Sequence, residues 1–423
     1  MGELGRIFAF LEAQPMPVYL VGGSLRQLLL GLDVKDYDFV VPDHATRLAY
    51  KLADHFHLSC FPLDRERDMA RVVLPDLVLD FAPYGTDLNQ DLRLRDLSLN
   101  AMACPVTSRI LSAGRDELET QLIDPCGGRQ DLRMGLIRGV SRANFEADPL
   151  RLLRVYRFAA SLDFQVEGET ESWVGQLAPL LRQVAAERIL AELEQILLKP
   201  KAAGWLERMQ GLSLLFFLPP DLLLEQLRCY EHLSSQHPAD VLSYLKQTMA
   251  AQRPRLFVLK LALLLLDPVG SRGQSSLQQL EALTLSRREL DSLLLWQRLI
   301  SMLQTLLAGM ADPIALRFEL YRQAQAEILG LLLLARIWRQ LGQLEDDNGW
   351  LELLQSEWLD PDNQVAHPRR LLEGKGLMQA LQLKPGPVIG RLLLSIQLAQ
   401  ARGLVTSETQ ALDFARAELE RQS

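Results

Sequence analysis

A chain of 423 residues is too long for one hydrophobic core and divides into roughly two to four domains, and a 48% hydrophobic content excludes general disorder. The net charge of −8 argues mildly against a nucleic-acid partner. The charge is uneven, however: from Arg129 to Arg157 seven arginines stand against three acids, so a local basic surface survives the acidic average.

In chain order, MGELGRIFAFLEAQP carries Glu3 and Glu12 and no basic leader, which is not a secretory signal pattern. The four cysteines, Cys60, Cys104, Cys126 and Cys229, lie far apart without metal spacing, which fits reduced thiols and a cytoplasmic location. Six short apolar runs, VYLVGG, YDFVVP, LSCFPL, ARVVLP, LVLDFAP and AMACPV, predict strands. SLRQLLLG and HATRLAYKLADHF predict helices between them. That mixture predicts an α+β head with a mixed sheet, ending near IDPCGGRQDL. From about Asp148 onward leucine recurs at helical spacing, as in ERILAELEQILL and LDSLLLWQRLISMLQTLL, with no further strand, so an all-α body is expected. The cluster PVGSRGQSS near 268–276 is read as punctuation between helices. LFVLKLALLLL, at Leu256 to Leu266, is too short to span a bilayer and reads as a buried helix.

The chemistry concentrates in the head. Gly22, Gly23 and Ser24 end a strand and open a helix, where bare amides and the helix dipole attract phosphate, and Arg26 lies just inside. Asp36 and Asp38 are two apart in an extended run, which puts both carboxylates on one face. That pair suits Mg²⁺, which takes carboxylate oxygens and leaves positions open for phosphate and water. Two such ions can activate an attacking hydroxyl and neutralise a leaving pyrophosphate. Asp80, in the strand LVLDFAP, is the candidate third acid. In RDLSLNAMA, Asp96 and Asn100 are four apart and are placed on one helical face beside Arg95. The arginine suits a triphosphate and the asparagine a ribose hydroxyl.

DPLRLLR carries Asp148 and Arg151 three apart, expected on one helical face with Pro149 in the first turn. An acceptor beside donors matches adenine and cytosine, each with an amino donor next to a ring-nitrogen acceptor. Guanine and uracil present the reverse order and leave buried groups unpaired. Arg154 and Arg157, in the same basic run, are candidates for further nucleotide or RNA contacts.

As a set, GGSLRQLLLG, DYDF, RDLSLNAMA, IDPCGGRQDL, FEADPLRLLRVYRFAA and AERILAELEQIL resemble class II tRNA nucleotidyltransferases (CCA-adding enzymes) and bacterial poly(A) polymerases. The match covers about residues 15–200. LLEGKGLMQALQLKPGPVIGRLLLSIQLAQARGLV is similar to the tail of CCA-adding enzymes, and the basic extension of poly(A) polymerases is absent. The resemblance implies a polymerase-beta-like head over 1–140, a helical neck with the base-selecting helix over 141–215, a body over 216–345 and a tRNA-binding tail over 346–423. It implies addition of C and/or A to tRNA 3′ ends from CTP and ATP with Mg²⁺ as cofactor. The partner is then the tRNA acceptor arm, with no membrane and no DNA. Asp36 and Asp38 would hold the metals, Gly22 to Ser24 with Arg26 the triphosphate, Arg95, Asp96 and Asn100 ribose and phosphates, and Asp148 with Arg151 the base.

Three positions depart from the family pattern: Gln27 in place of aspartate, Leu94 in place of arginine, and Ala147 in place of a glutamate that braces the selecting arginine. They leave open an enzyme adding only CC or only A, a poly(A) polymerase, or a catalytically weak RNA-binding paralogue. LFVLKLALLLLDPVG also echoes an HD phosphohydrolase pattern, with Leu266 where its histidine would stand, and is read as packing rather than a site.

Overall fold

The computed structural model describes residues 2–111, 115–249, 253–269, 283–309 and 312–422. The Gly/Ser-rich part of the 268–276 segment lies largely outside them. The chain forms two compact units, Met1–Lys199 with Arg208–Leu214 and Pro200–Glu207 with Leu215–Ser423.

All six apolar runs form strands of one sheet: β1 (Tyr19–Val21), β2 (Asp36–Val41), β3 (Ser59–Asp64), β4 (Met69–Val73), β5 (Val78–Pro83) and β6 (Ala103–Pro105). Their spatial order is β3-β4-β5-β2-β1-β6. β2 and β5 are parallel and the other neighbours antiparallel, so the sheet is mixed as expected. Alternation decides which face is buried. Tyr37, Phe39, Val41, Ala70, Val72, Leu79 and Phe81 turn to a core shared with Ile7, Phe8 and Leu11 of α1 (Glu3–Glu12). Leu48, Ala49 and Leu52 of α3 (Ala45–Phe56) complete it. Phe39 stacks on Phe81 at 5.2 Å with Phe8 edge-on at 5.5 Å, and burial of each ring contributes about 2 kcal/mol. The amides of Ala45 and Thr46 donate to the Asp68 carboxylate at 2.7 and 3.1 Å, fixing α3 to the β3–β4 hairpin. On the opposite face Leu88 and Leu92 cover Val21, Val40 and Ala103 in a second small core, and the part that carries Asp36, Asp38, Asp80 and Arg71 stays open.

The structure adds what the sequence lacked after the head, a two-stranded parallel pair of Leu136–Ile137 and Gln165–Val166. Two residues per strand are too few for alternation to register. The Arg151–Leu162 helix runs between these two strands in the chain and packs on the later Ala186–Leu197 helix within the first unit. The second unit is helical among its described residues. The 256–266 run lies mainly in the Arg255–Leu265 helix, and Phe257 to Leu266 are all buried, as a packing helix requires. The final helices Gly374–Leu381, Pro387–Ala401 and Glu408–Gln422 share a small core around Leu377, Leu392, Ile396 and Ala411. No described helix is long and apolar enough to cross a membrane.

Candidate active site

β1 stops at Val21 because Gly22 adopts φ +67° and opens α2 (Gly22–Leu29). A Cβ at this position would sit 3.2 Å from Asp38 Oδ2 and 3.3 Å from Arg95 Nη1, so glycine is required by conformation and by space. Ser24 Oγ donates to the Val21 carbonyl at 2.9 Å and accepts from the Asp38 amide at 3.2 Å. That hydroxyl therefore ties the glycine turn to the carboxylate strand. Asp36 is exposed, Asp38 half-buried and Tyr37 between them turned into the core, so the two carboxylates share the open face.

Burial, and then the nearby charge of Asp80, push the Asp38 carboxyl up to about 6; Asp36 adds to this while Arg95 and Arg26 oppose it. Such a carboxylate gains most from a cation. Asp80 lies directly across from Asp38 in the parallel register, but Arg71 holds it with two bonds of 2.7 Å. Among the described residues no trio of acidic, histidine or cysteine side chains is gathered for a metal, and Asp80 lines the cleft as an ion-pair partner of Arg71. The pair Asp36 and Asp38 fits Mg²⁺, which takes one or two carboxylates together with substrate phosphates.

Arg95, Asp96 and Asn100 do come together, but not on a helix. The Leu88–Arg93 helix ends before them, and Ser98–Asn100 is a single 3₁₀ turn. The helix was expected from the spacing of four; Gly128 instead packs so tightly on Ser98 that a Cβ would lie 2.1 Å from its carbonyl oxygen. Asp96 accepts from the Leu97 amide at 2.8 Å, from Asn100 Nδ2 at 3.1 Å and from Arg154 Nε at 2.7 Å. Burial raises its carboxyl, but the Arg154 charge and these hydrogen bonds outweigh it and hold the value below the usual range. Asn100 Oδ1 in turn accepts from Arg26 Nη1. Asp96 and Asn100 are thus engaged in orienting Arg154 and Arg26. Arg95 donates to Asp91 at 3.1 Å and to the Asn100 carbonyl at 3.3 Å.

Phe158 is the centre of a group the sequence reading missed. The guanidinium carbons of Arg26, Arg154 and Arg157 lie 4.8, 5.3 and 4.4 Å from its ring centroid. Two carboxylates answer these three cations: Asp96, and Glu192 at 3.1 Å from Arg157. Burial, reinforced by Arg157 and Arg154, pulls Arg26 down to about 10 against the pull of Asp96, and its buried Nε has no hydrogen-bond partner. A surplus positive charge with an open donor demands an anion.

Asp148 and Arg151 also differ from expectation. Asp148 is extended, with φ −139° and ψ 92°, and the helix begins only at Arg151, because the residue before a proline avoids the helical region. They do not pair with each other. Arg188 Nη2 reaches both Asp148 oxygens at 3.1 and 3.3 Å, while Arg151 Nη1 donates to the carbonyls of Leu94 at 2.8 Å and Asn144 at 3.4 Å. The brace lost at Ala147 is thus supplied by two carbonyls, and Leu94 contributes its backbone while its side chain is 59% exposed. Gln27 lines the same cleft. Arg188 and Glu192 stand in AERILAELEQIL, and Phe158 in FEADPLRLLRVYRFAA; only their motif membership marked them. All fourteen expected site residues come together: one open cleft of about 1110 Å³ is lined by Gly22, Gly23, Ser24, Arg26, Asp36, Asp38, Asp80, Arg95, Asp96, Asn100, Asp148, Arg151, Arg154 and Arg157.

Sequence comparison places this cleft in a family. Over 95% of this chain and 94% of the relative, it is 32% identical to the CC-adding tRNA nucleotidyltransferase of Synechocystis sp.. The chain belongs to the tRNA nucleotidyltransferase family. This nucleotidyltransferase is also 31% identical to the A-adding enzyme of Deinococcus radiodurans, over 96% of this chain and 97% of the relative. Residues 163–224 match a family model described as the probable RNA and SrmB-binding site of polymerase A. A CCA-adding enzyme solved with ATP shares the fold with a TM-score of 0.73 at 22% identity, covering 98% of this chain and 95% of that one. The Thermotoga maritima CCA-adding enzyme solved with tRNA has a TM-score of 0.68 at 24% identity, covering 98% and 94%.

Proposed function

We propose that this nucleotidyltransferase adds C and/or A to the 3′ end of tRNA from CTP or ATP, releasing pyrophosphate, and that addition of C is its principal reaction. The observation that carries the reading is the Asp36/Asp38 pair facing the Gly22–Ser24 turn in one cleft with Asp148 and Arg151. The Synechocystis relative favours C over A; the Deinococcus relative supports A addition as the second reading.

The family generally uses a divalent cation, and Mg²⁺ held by Asp36 and Asp38 would supply charge neutralisation at the phosphates and a more acidic attacking hydroxyl. The amides opening α2 and the cationic group of Arg26 and Arg95 hold the triphosphate. Asp96 and Asn100 keep Arg26 and Arg154 aimed, so little reorganisation is needed as charge shifts to the leaving group. At the base, Asp148 accepts from the exocyclic amino group of C or A and Arg151 donates to the adjacent ring nitrogen. G and U would leave both groups unpaired.

The test gives the purified full chain tRNA transcripts ending at the discriminator base, at C or at CC, each labelled nucleoside triphosphate singly, and Mg²⁺. Two C residues added to the first transcript and none to the third are expected. Incorporation of A only after CC establishes the second reading, long A tails indicate a poly(A) polymerase, and no incorporation overturns the enzyme assignment for tRNA.

A further inference from the structure

The open face of the sheet continues past the carboxylates. Cross-strand partners share a face, and the register gives one row: Val21 opposite Asp38, Asp38 opposite Asp80, Asp80 opposite Arg71 and Arg71 opposite Phe61. The Arg71–Asp80 ion pair at 2.7 Å confirms that this row lies on one side. Phe61 ends it on the edge strand β3 and is 44% exposed, while Ala70, Val72, Leu79 and Phe81 of the neighbouring strands turn to the buried side.

In-line displacement fixes what reaches that row. Attacking and leaving oxygens lie on opposite sides of the phosphorus. The glycine turn that would hold the leaving pyrophosphate follows β1, so the attacking hydroxyl must enter from over β5, β4 and β3. The cleft extends that way, since Met69 and Arg71 line it. Three strand spacings put Phe61 about 14 Å from Asp38, a reach of a few nucleotides along an unpaired strand. A protein strand is a poor occupant of this edge: Pro62 removes an amide donor, and the register shifts between Pro62 and Asp64.

We propose that Phe61 is a stacking platform for the unpaired 3′ nucleotides of the RNA acceptor. This rests on the nucleotidyl-transfer reading above and adds the path of the acceptor strand to it. A ring on an edge strand beside the carboxylates binds bases without regard to sequence, because every base has a π-face.

Steady-state nucleotide addition by the full chain tests it. Phe61→Ala should raise the KM for tRNA about tenfold, the loss of one stacked base, with kcat and the KM for CTP unchanged. Phe61→Tyr should restore the KM and Phe61→Leu should not. An unchanged KM for tRNA in Phe61→Ala, or full recovery with leucine, overturns the platform. Should the wild type add nothing to tRNA, the activity reading fails on its own, and binding decides the platform. Phe61→Trp fluorescence, compared with wild type, should then be quenched by a transcript ending at CC and not by one trimmed to its paired stem. Equal quenching by both overturns the proposal.

Discussion

Around Phe158 in the first unit three arginines meet two carboxylates, whereas four cations with little exposure in the second unit each meet an acid. There, Arg255 pairs with Glu327, Arg253 with Glu289 at 3.1 Å, Arg317 with Glu357 at 2.5 Å and Lys260 with Glu231 at 3.6 Å. Tyr244 and Tyr321 add hydrogen bonds of 2.9 Å to Glu327 and Glu357. Matched charges in a closed core hold structure together. Unmatched charges beside an open cleft await a ligand. The same contrast explains why the phosphohydrolase-like segment is packing: Lys260 and Leu266 are buried, and the Lys260 charge is matched by Glu231.

The sharpest way to break this contrast is to remove one cleft carboxylate. Asp38→Ala, or chelation of divalent cations, should cut labelled nucleotide incorporation on the order of a thousandfold, with the melting transition retained. A rate within tenfold of wild type would deny Asp38 its role. In the second unit, Glu327→Gln should do the reverse. Leaving Arg255 buried without its partner costs about 3 kcal/mol in denaturant unfolding, while kcat per folded molecule stays at the wild-type value. Loss of kcat there would mean the two kinds of charge are not separable.

Finer effects sharpen the comparison within the cleft. Exchanging the fork, Asp148→Arg with Arg151→Asp, should shift the ratio of kcat/KM for CTP over UTP by about a hundredfold, read from single-nucleotide incorporation. Arg188→Ala, which frees Asp148 without reversing it, should shift that ratio by about tenfold. An unchanged ratio in both would remove base selection from this pair. The smallest effect is on acid stability. Asp96 has a lowered carboxyl in the folded chain, so its stabilisation is present above its unfolded value of about 3.9 and is lost as pH falls through the lower folded value. Asp96→Asn should therefore lose less unfolding free energy than wild type when titrated downward from about pH 5. Parallel titration curves would show that Asp96 is not paired in solution.

Much of the head was legible because its signals are local. Each apolar run became one strand within a residue or two at its ends, and the glycine pair gave the strand-to-helix turn. Asp36 and Asp38 share a face simply because strands alternate. The partnerships were not legible, since they join residues remote in sequence. Arg71 meets Asp80 through antiparallel register, Arg188 meets Asp148 across 40 positions, and Arg26 meets Asn100 across 74. Spacing also misled twice, at Asp96 with Asn100 and at Asp148 with Arg151, where a 3₁₀ turn and a proline replaced the helix that a step of three or four suggests.

The sequence by itself determined which side chains could handle phosphate, cation and base, because residue type sets charge and hydrogen-bonding capacity, and local periodicity sets the face. Only the tertiary structure decided which of them remain available. Asp96 and Asn100 are engaged in aiming arginines, Asp80 is held by Arg71, and Asp38 and Arg26 keep unanswered charge. Availability depends on every neighbour that packing brings within a few ångströms, and packing joins parts of the chain that no local pattern connects.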